Sequence, residues 1–148
     1  MRITDFLSQS DAIVNVRAHN KSRLLKDLCN RAASALKLDG DRISSEILKR
    51  EELGSTGMGG GVAIPHARIE DLKEPFGILA RLQRPIDFNA IDGQPVDIIF
   101  LLLLPAAPAG EHLSALAEVA RKLRDPNAVR ELRRAPDSAS FYRAGAFQ

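Results

Sequence analysis

The stretch Val96–Pro105, VDIIFLLLLP, holds one charged residue in ten and no glycine. It is too short for a membrane-spanning helix, which needs roughly 20 apolar residues. A run of this length and composition reads as a buried strand over residues 96–104, apolar on both faces. Such a strand sits inside a sheet that is covered above and below, so the chain around it has to supply helices.

It does so on both sides. Toward the N-terminus lie a turn-rich segment, RPIDFNAIDGQP (84–95), and a second strand, PFGILARL (75–82). Before them VAIPHARI (62–69) is short and mostly extended, because Pro65 restricts Ile64 to β or polyproline geometry. Helical spacing of Leu24, Leu25, Leu28, Ala32 and Leu36 predicts a helix capped by Ser22 and ended by Leu38-Asp39-Gly40. A second helix, capped by Asp41, carries Ile43, Ile47 and Leu48 and runs to near Leu53. AIVNV (12–16) reads as a first strand, preceded by a helical turn at ITDFL (3–7). Toward the C-terminus, Pro105, Pro108 and Gly110 form a loop. A third helix starts at Glu111 with Leu113, Leu116, Ala120 and Leu123 on one face, and it stops before Asp125-Pro126. Two short helices, 128–134 and 138–144, finish a chain read as one α/β domain over residues 1–148.

Bulk properties exclude several function classes. With 45% hydrophobic and 27% charged residues in 148, the chain is long and apolar enough to bury a core without staples. A net charge of +2 with scattered basic residues gives no stripe for a phosphate backbone, so nucleic acid is not an expected partner. The lone cysteine, Cys29, lies beside the first helical stripe and reads as a packed core residue; no internal disulfide is possible. MRITDFLSQSD contains no signal-peptide run, and no membrane span is expected, so a cytoplasmic location follows.

The segment GSTGMGGGVAIPHARIE (54–70) is the chemically suggestive one, with five glycines in eight residues leading to Pro65-His66. Exposed N–H groups of a glycine loop can cradle an anion. The loop matches neither a nucleotide-binding Gly-Lys-Ser/Thr ending nor a G-x-G-x-x-G spacing, and a plain tight connection is the other reading. An extended chain would put His66 and Arg68 on one face and Ala67 and Ile69 on the other. An imidazole at such a mouth is a competent nucleophile near neutral pH, although the residues alone leave a structural histidine equally open. His112, at the start of the third helix beyond the long strand, could meet His66 across a strand-end crevice. His19 has no assigned role. No two histidines have metal-ligand spacing and GSTG is not a nucleophile elbow, so neither a metal nor a serine hydrolase is expected.

REELGSTGMGGGVAIPHARIE, LQRPIDFNAIDGQPVDIIFLLLLPA and HLSALAEVARKLRD together resemble the EIIA domains of the bacterial phosphotransferase system. Within the mannitol/fructose-type group they are most similar to the nitrogen-related branch. The resemblance runs from ITDFL to SFYRAG and implies a mixed, mostly parallel sheet flanked by helices. It also implies that His66 accepts a phosphoryl group from a phosphohistidine on a small HPr-like carrier, with Arg50 and His112 flanking the site. Thr56, Gly57, Gly59, Gly60, Gly61 and Arg68 would then hold the phosphate, with no cofactor and no metal. The branch implies regulation of partner proteins according to phosphorylation state; the alternative is a sugar-transport role, passing phosphate to a fructose/mannitol-type EIIB. The sequence departs from the family pattern at Ala67, where glycine usually follows the active histidine, and at Gly60, often Asn or acidic. It names neither the regulated targets nor the oligomeric state.

Overall fold

The computed structural model describes residues 1–107 and 109–147; Pro108, expected in the loop after the long strand, lies outside them. Strands and helices are numbered in chain order. The long apolar strand is β6 (Val96–Pro105), and it is the axis of the sheet. On one side it pairs antiparallel with β5 (Phe76–Ile86), from Phe76↔Leu103 to Ile86↔Val96. On the other side it pairs in parallel with two short strands end to end, β3 (Val62–Ala63) and β4 (His66–Ile69). β1 (Ala12–Val16) lies parallel beyond β5, and β2 (Gly57–Gly59) folds back antiparallel on β3. Three of the five strand pairings are parallel, so the sheet is mixed as expected.

β6 is buried on both faces because successive residues feed different helical layers. Ile99, Leu101 and Leu103 pack with Leu24, Leu25 and Leu28 of α1 (Lys21–Leu36) and Ile43 and Ile47 of α2 (Gly40–Glu52). Ile98, Phe100 and Leu102 pack on the other side with Val119 of α3 (Gly110–Arg124), Leu132 of α4 (Pro126–Arg134) and Phe141 of α5 (Ser138–Ala146). Full burial of one such side chain is worth about 1.5–3 kcal/mol, so this one strand anchors both layers. Cys29 is fully buried in the α1–α2 layer, and that burial pushes its thiol up to about 12.

Several boundaries differ from the sequence expectation for local reasons. Asn20, not Ser22, caps α1 by accepting the Arg23 N–H at 2.8 Å, and Lys37 ends the helix in a left-handed conformation. Asp39, not Asp41, caps α2, accepting the Asp41 N–H at 3.0 Å. β5 continues past Leu82 through Pro85 to Ile86, into a segment expected to turn. β1 pairs only as far as Leu82, so the missing N–H of Pro85 leaves no partner of that strand unsatisfied. On α3 the buried positions are His112, Ala115, Val119 and Leu123, whereas Leu113 is half exposed. The helical stripe is therefore rotated from the expected one, and the first-turn histidine is carried inward.

Candidate functional site

Pro65 creates the site. It interrupts the chain between β3 and β4 while both stay on the same edge of β6, and its carbonyl still accepts the Leu102 N–H at 2.9 Å. His66 is the first residue after this step, on an edge strand, and so is only half buried. A cleft of about 640 Å³ opens beside it. β4 contributes His66, Ala67 and Arg68; the end of α2 contributes Lys49, Arg50 and Leu53; Leu104, Leu113 and Leu116 close it from β6 and α3. Lys49, Arg50 and Arg68 bring three cations to the cleft against the carboxylates of Glu46 and Glu52.

The His66 ring is oriented. Its Nδ1 lies 2.7 Å from the carbonyl oxygen of Ile64. A carbonyl can only accept, so Nδ1 carries the proton and the lone pair resides on Nε2. Arg50 is anchored at one end of its guanidinium, with Nη1 donating to the Gly54 carbonyl at 2.9 Å. Arg68 is exposed, and its side chain makes no hydrogen bond or ion pair among the described residues. Lys49 pairs with Glu46 at 3.3 Å.

His112 is buried at the α3 N-terminus next to this cleft, although Leu113 and Leu116 of the same helix, and not His112, line it. The Ala109 N–H donates to its Nδ1 at 3.1 Å, so Nε2 carries the proton and donates to Glu74 Oε2 at 3.2 Å. Glu74 itself is largely exposed, and nothing in its sequence context, LKEPF, marks it as a partner of a histidine 38 residues on.

The glycine segment is engaged elsewhere. None of Thr56, Gly57, Gly59, Gly60 and Gly61 lines the cleft. Gly57 approaches the 89–92 loop so closely that a Cβ there would lie 2.8 Å from Ala90 Cβ and 2.9 Å from Ala90 Cα. Gly60 and Gly61 turn the β2–β3 hairpin with φ of +69° and +79°, a region that side chains rarely tolerate. The Gly60 N–H donates to Asp92 Oδ2 at 3.0 Å, and its carbonyl accepts from Arg133 Nη2 at 2.7 Å. Arg133 in turn grips Asp97 with contacts of 2.9–3.2 Å. The backbone N–H groups of Gln94 and Gly60 hold the Asp92 carboxyl below the usual carboxylate range. The N–H of Thr56 and its hydroxyl both donate to Glu51. The hairpin N–H of Gly60 thus already faces a carboxylate, and of the residues expected around a phosphate the cleft gathers His66, Arg50 and Arg68.

One signal for the buried carboxylate was present in the sequence. Ile43, Ile47 and Glu51 recur every four residues, so Glu51 continues the buried stripe of α2 and needs a partner. Among the described residues no group of three or more His, Cys, Asp or Glu side chains is placed to hold a metal. No helix among them is long and apolar enough to cross a membrane.

Comparison with known proteins establishes the family. Residues 5–144 match the family described as phosphoenolpyruvate-dependent sugar phosphotransferase system, EIIA 2. A nitrogen regulatory protein of Bradyrhizobium diazoefficiens is 41% identical over 142 residues, spanning 96% of this chain and 93% of its own length. The crystal structure of the nitrogen regulatory protein IIA-Ntr from Neisseria meningitidis superposes with a TM-score of 0.90 at 32% identity, covering 96% of this chain and 97% of that one. Mannitol IIA of Escherichia coli shares the fold, with a TM-score of 0.77 at 16% identity over 95% of this chain and all of its own. The chain belongs to the EIIA 2 family of the phosphotransferase system and is closely similar to nitrogen regulatory, IIA-Ntr members of it.

Proposed function

We propose that His66 accepts a phosphoryl group from a phosphohistidine on an HPr-like carrier, and that the protein then regulates partners according to its phosphorylation state. The observation that carries this reading is the Nδ1–Ile64 carbonyl bond of 2.7 Å, which presents an Nε2 lone pair beside a cleft holding Arg50 and Arg68. In the transfer, the Nε2 electron pair attacks phosphorus in line while the donor P–N bond breaks and its electron pair returns to the donor imidazole. The proton on Nδ1 stays in place, and the Ile64 carbonyl stabilises the positive charge that develops on the ring. Arg50 and Arg68 meet the equatorial oxygens, which suits a reaction catalysed by positioning and charge stabilisation. His112 supports the site from the α3 N-terminus, with its Nε2–H available to a phosphoryl oxygen if Glu74 yields its place. No nucleotide or metal is needed, because the phosphoryl donor is itself a protein. The exposed Leu53 and half-exposed Leu113, which line the same cleft as the histidine, give a carrier apolar surface.

Phosphorylation adds roughly 1.5–2 negative charges at this cleft, which changes its fit to any protein using the same face. The test is a pull-down from the host's cytoplasm with the phosphorylated and unphosphorylated forms. Regulation predicts at least one protein outside the phosphotransfer chain that binds the two forms unequally. Equal recovery of all partners, with rapid passage of phosphate to a sugar-specific EIIB, would make the protein a transport carrier instead.

A further inference from the structure

A largely buried ion pair joins Lys21, at the start of α1, to Glu51, at the end of α2. Lys21 Nζ lies 2.7 Å from Glu51 Oε2, with the two side chains 17% and 5% exposed. The ammonium also donates to the Phe88 carbonyl at 3.2 Å and lies 4.5 Å from the centre of the Phe88 ring. Glu51 receives the Thr56 N–H, at 3.3 and 3.2 Å from its two oxygens, together with the Thr56 hydroxyl. Thr56 passes the constraint on: its carbonyl accepts the Ile64 N–H at 3.1 Å. The Ile64 carbonyl is the acceptor that holds His66 Nδ1 at 2.7 Å. Lys21, Glu51, Thr56, Ile64 and His66 thus form one unbroken chain of polar contacts, running from the far helix to the nucleophile through two backbone units.

A buried ion pair is costly to desolvate, and well-packed apolar residues in its place are often as stable or more so. Stability therefore gives little reason for a lysine and a glutamate here, whereas geometry does. We propose that Glu51, held by Lys21, is a positioning residue for His66: by fixing Thr56 it fixes the Ile64 carbonyl, and so the ring orientation and tautomer that leave Nε2 unprotonated. This plays the part of an orienting carboxylate beside a histidine, exercised through backbone because no carboxylate among the described residues bonds to the ring. The catalytic consequence rests on His66 being the phosphoryl acceptor; the structural one does not.

The test compares ¹⁵N-histidine-labelled wild type with Lys21→Met/Glu51→Leu, which removes the charges and the acceptor, and with Lys21→Met/Glu51→Gln, which keeps an oxygen for Thr56. Long-range ¹H–¹⁵N spectra of the unphosphorylated proteins read the His66 tautomer. The expected result is a protonated Nδ1 and an unprotonated Nε2 in wild type and in the glutamine variant, and a mixture of tautomers in the leucine variant. Phosphorylation by the carrier should then show kcat reduced roughly 10-fold or more in the leucine variant with KM unchanged, the loss typical when an imidazole's outer partner is removed. A folded leucine variant with the wild-type tautomer overturns the proposal. Should that variant not fold, Thr56→Val, which drops the hydroxyl but keeps the N–H, must shift the same signals in the same direction; no shift overturns the proposal equally. A wild type never phosphorylated at His66 would refute the acceptor role alone, and the tautomer comparison would still decide the relay.

Discussion

Arg50→Ala separates catalysis from architecture. The guanidinium is held at one end by the Gly54 carbonyl, 2.9 Å away, and its remaining donors border the cleft beside His66. Removing it deletes one solvent-accessible hydrogen bond, a loss of about 0.5–1.5 kcal/mol in stability. For a chain of this size that lowers Tm by only about 1–6 °C. In the transition state the loss is larger, because a pre-organised donor facing developing charge is typically worth about 3 kcal/mol, a rate factor of roughly 100. Arg50→Lys keeps the charge but loses the fork that can hold Gly54 and offer a second donor at once, so it should fall between the two. The assay is single-turnover transfer from ³²P-labelled carrier, quenched at alkaline pH, alongside thermal unfolding of each variant. Full-rate transfer by a folded Arg50→Ala protein would refute the role of this cation. A rate loss matched by an equally large loss of structure would refute the claim that the role is local.

Two further predictions concern the frame around the site. Gly57→Ala would place a methyl group within 3 Å of the Ala90 backbone, so denaturant unfolding should show a destabilisation of about 1–3 kcal/mol, whereas unchanged stability would mean that the two loops are not in contact. The Cys29 thiol, raised from 9.0 to about 12, stays protonated in the fold while the unfolded chain ionises earlier. Its contribution to stability is complete below about pH 9 and is lost as pH rises from there toward 12. Cys29→Ala should therefore flatten the alkaline limb of stability against pH, and an unchanged limb would count against that burial.

The fold was legible where hydrophobic period decided it. The two-faced run of β6 and the stripes of α1 and α2 demanded a covered sheet, and the structure has one. Helix caps were less legible, because Asn20 and Ser22, or Asp39 and Asp41, are interchangeable to a sequence rule; the choice depends on where the backbone turns helical. β5 was read short because Pro85 signals a turn in general but is harmless where the neighbouring strand has ended. At the site, local motif and resemblance singled out His66, Arg50 and Arg68, and the fold brings these three to one cleft. The glycine hairpin, read as phosphate-binding, lies outside that cleft, and its engagement was not legible because its partners, Asp92, Asp97 and Arg133, lie 32 or more residues away and carry no motif of their own. The Lys21–Glu51 pair was hidden for the same reason, since it spans 30 residues and shows only as a carboxylate in a buried stripe.

The most direct measurement is mass mapping of the phosphate after incubation with the host's own phosphorylated carrier. The account predicts one acid-labile, alkali-stable phosphoryl group on the imidazole of His66, joined at Nε2, and none on a folded His66→Ala protein. Undiminished labelling of His66→Ala, at a serine, an aspartate or another histidine, would contradict it.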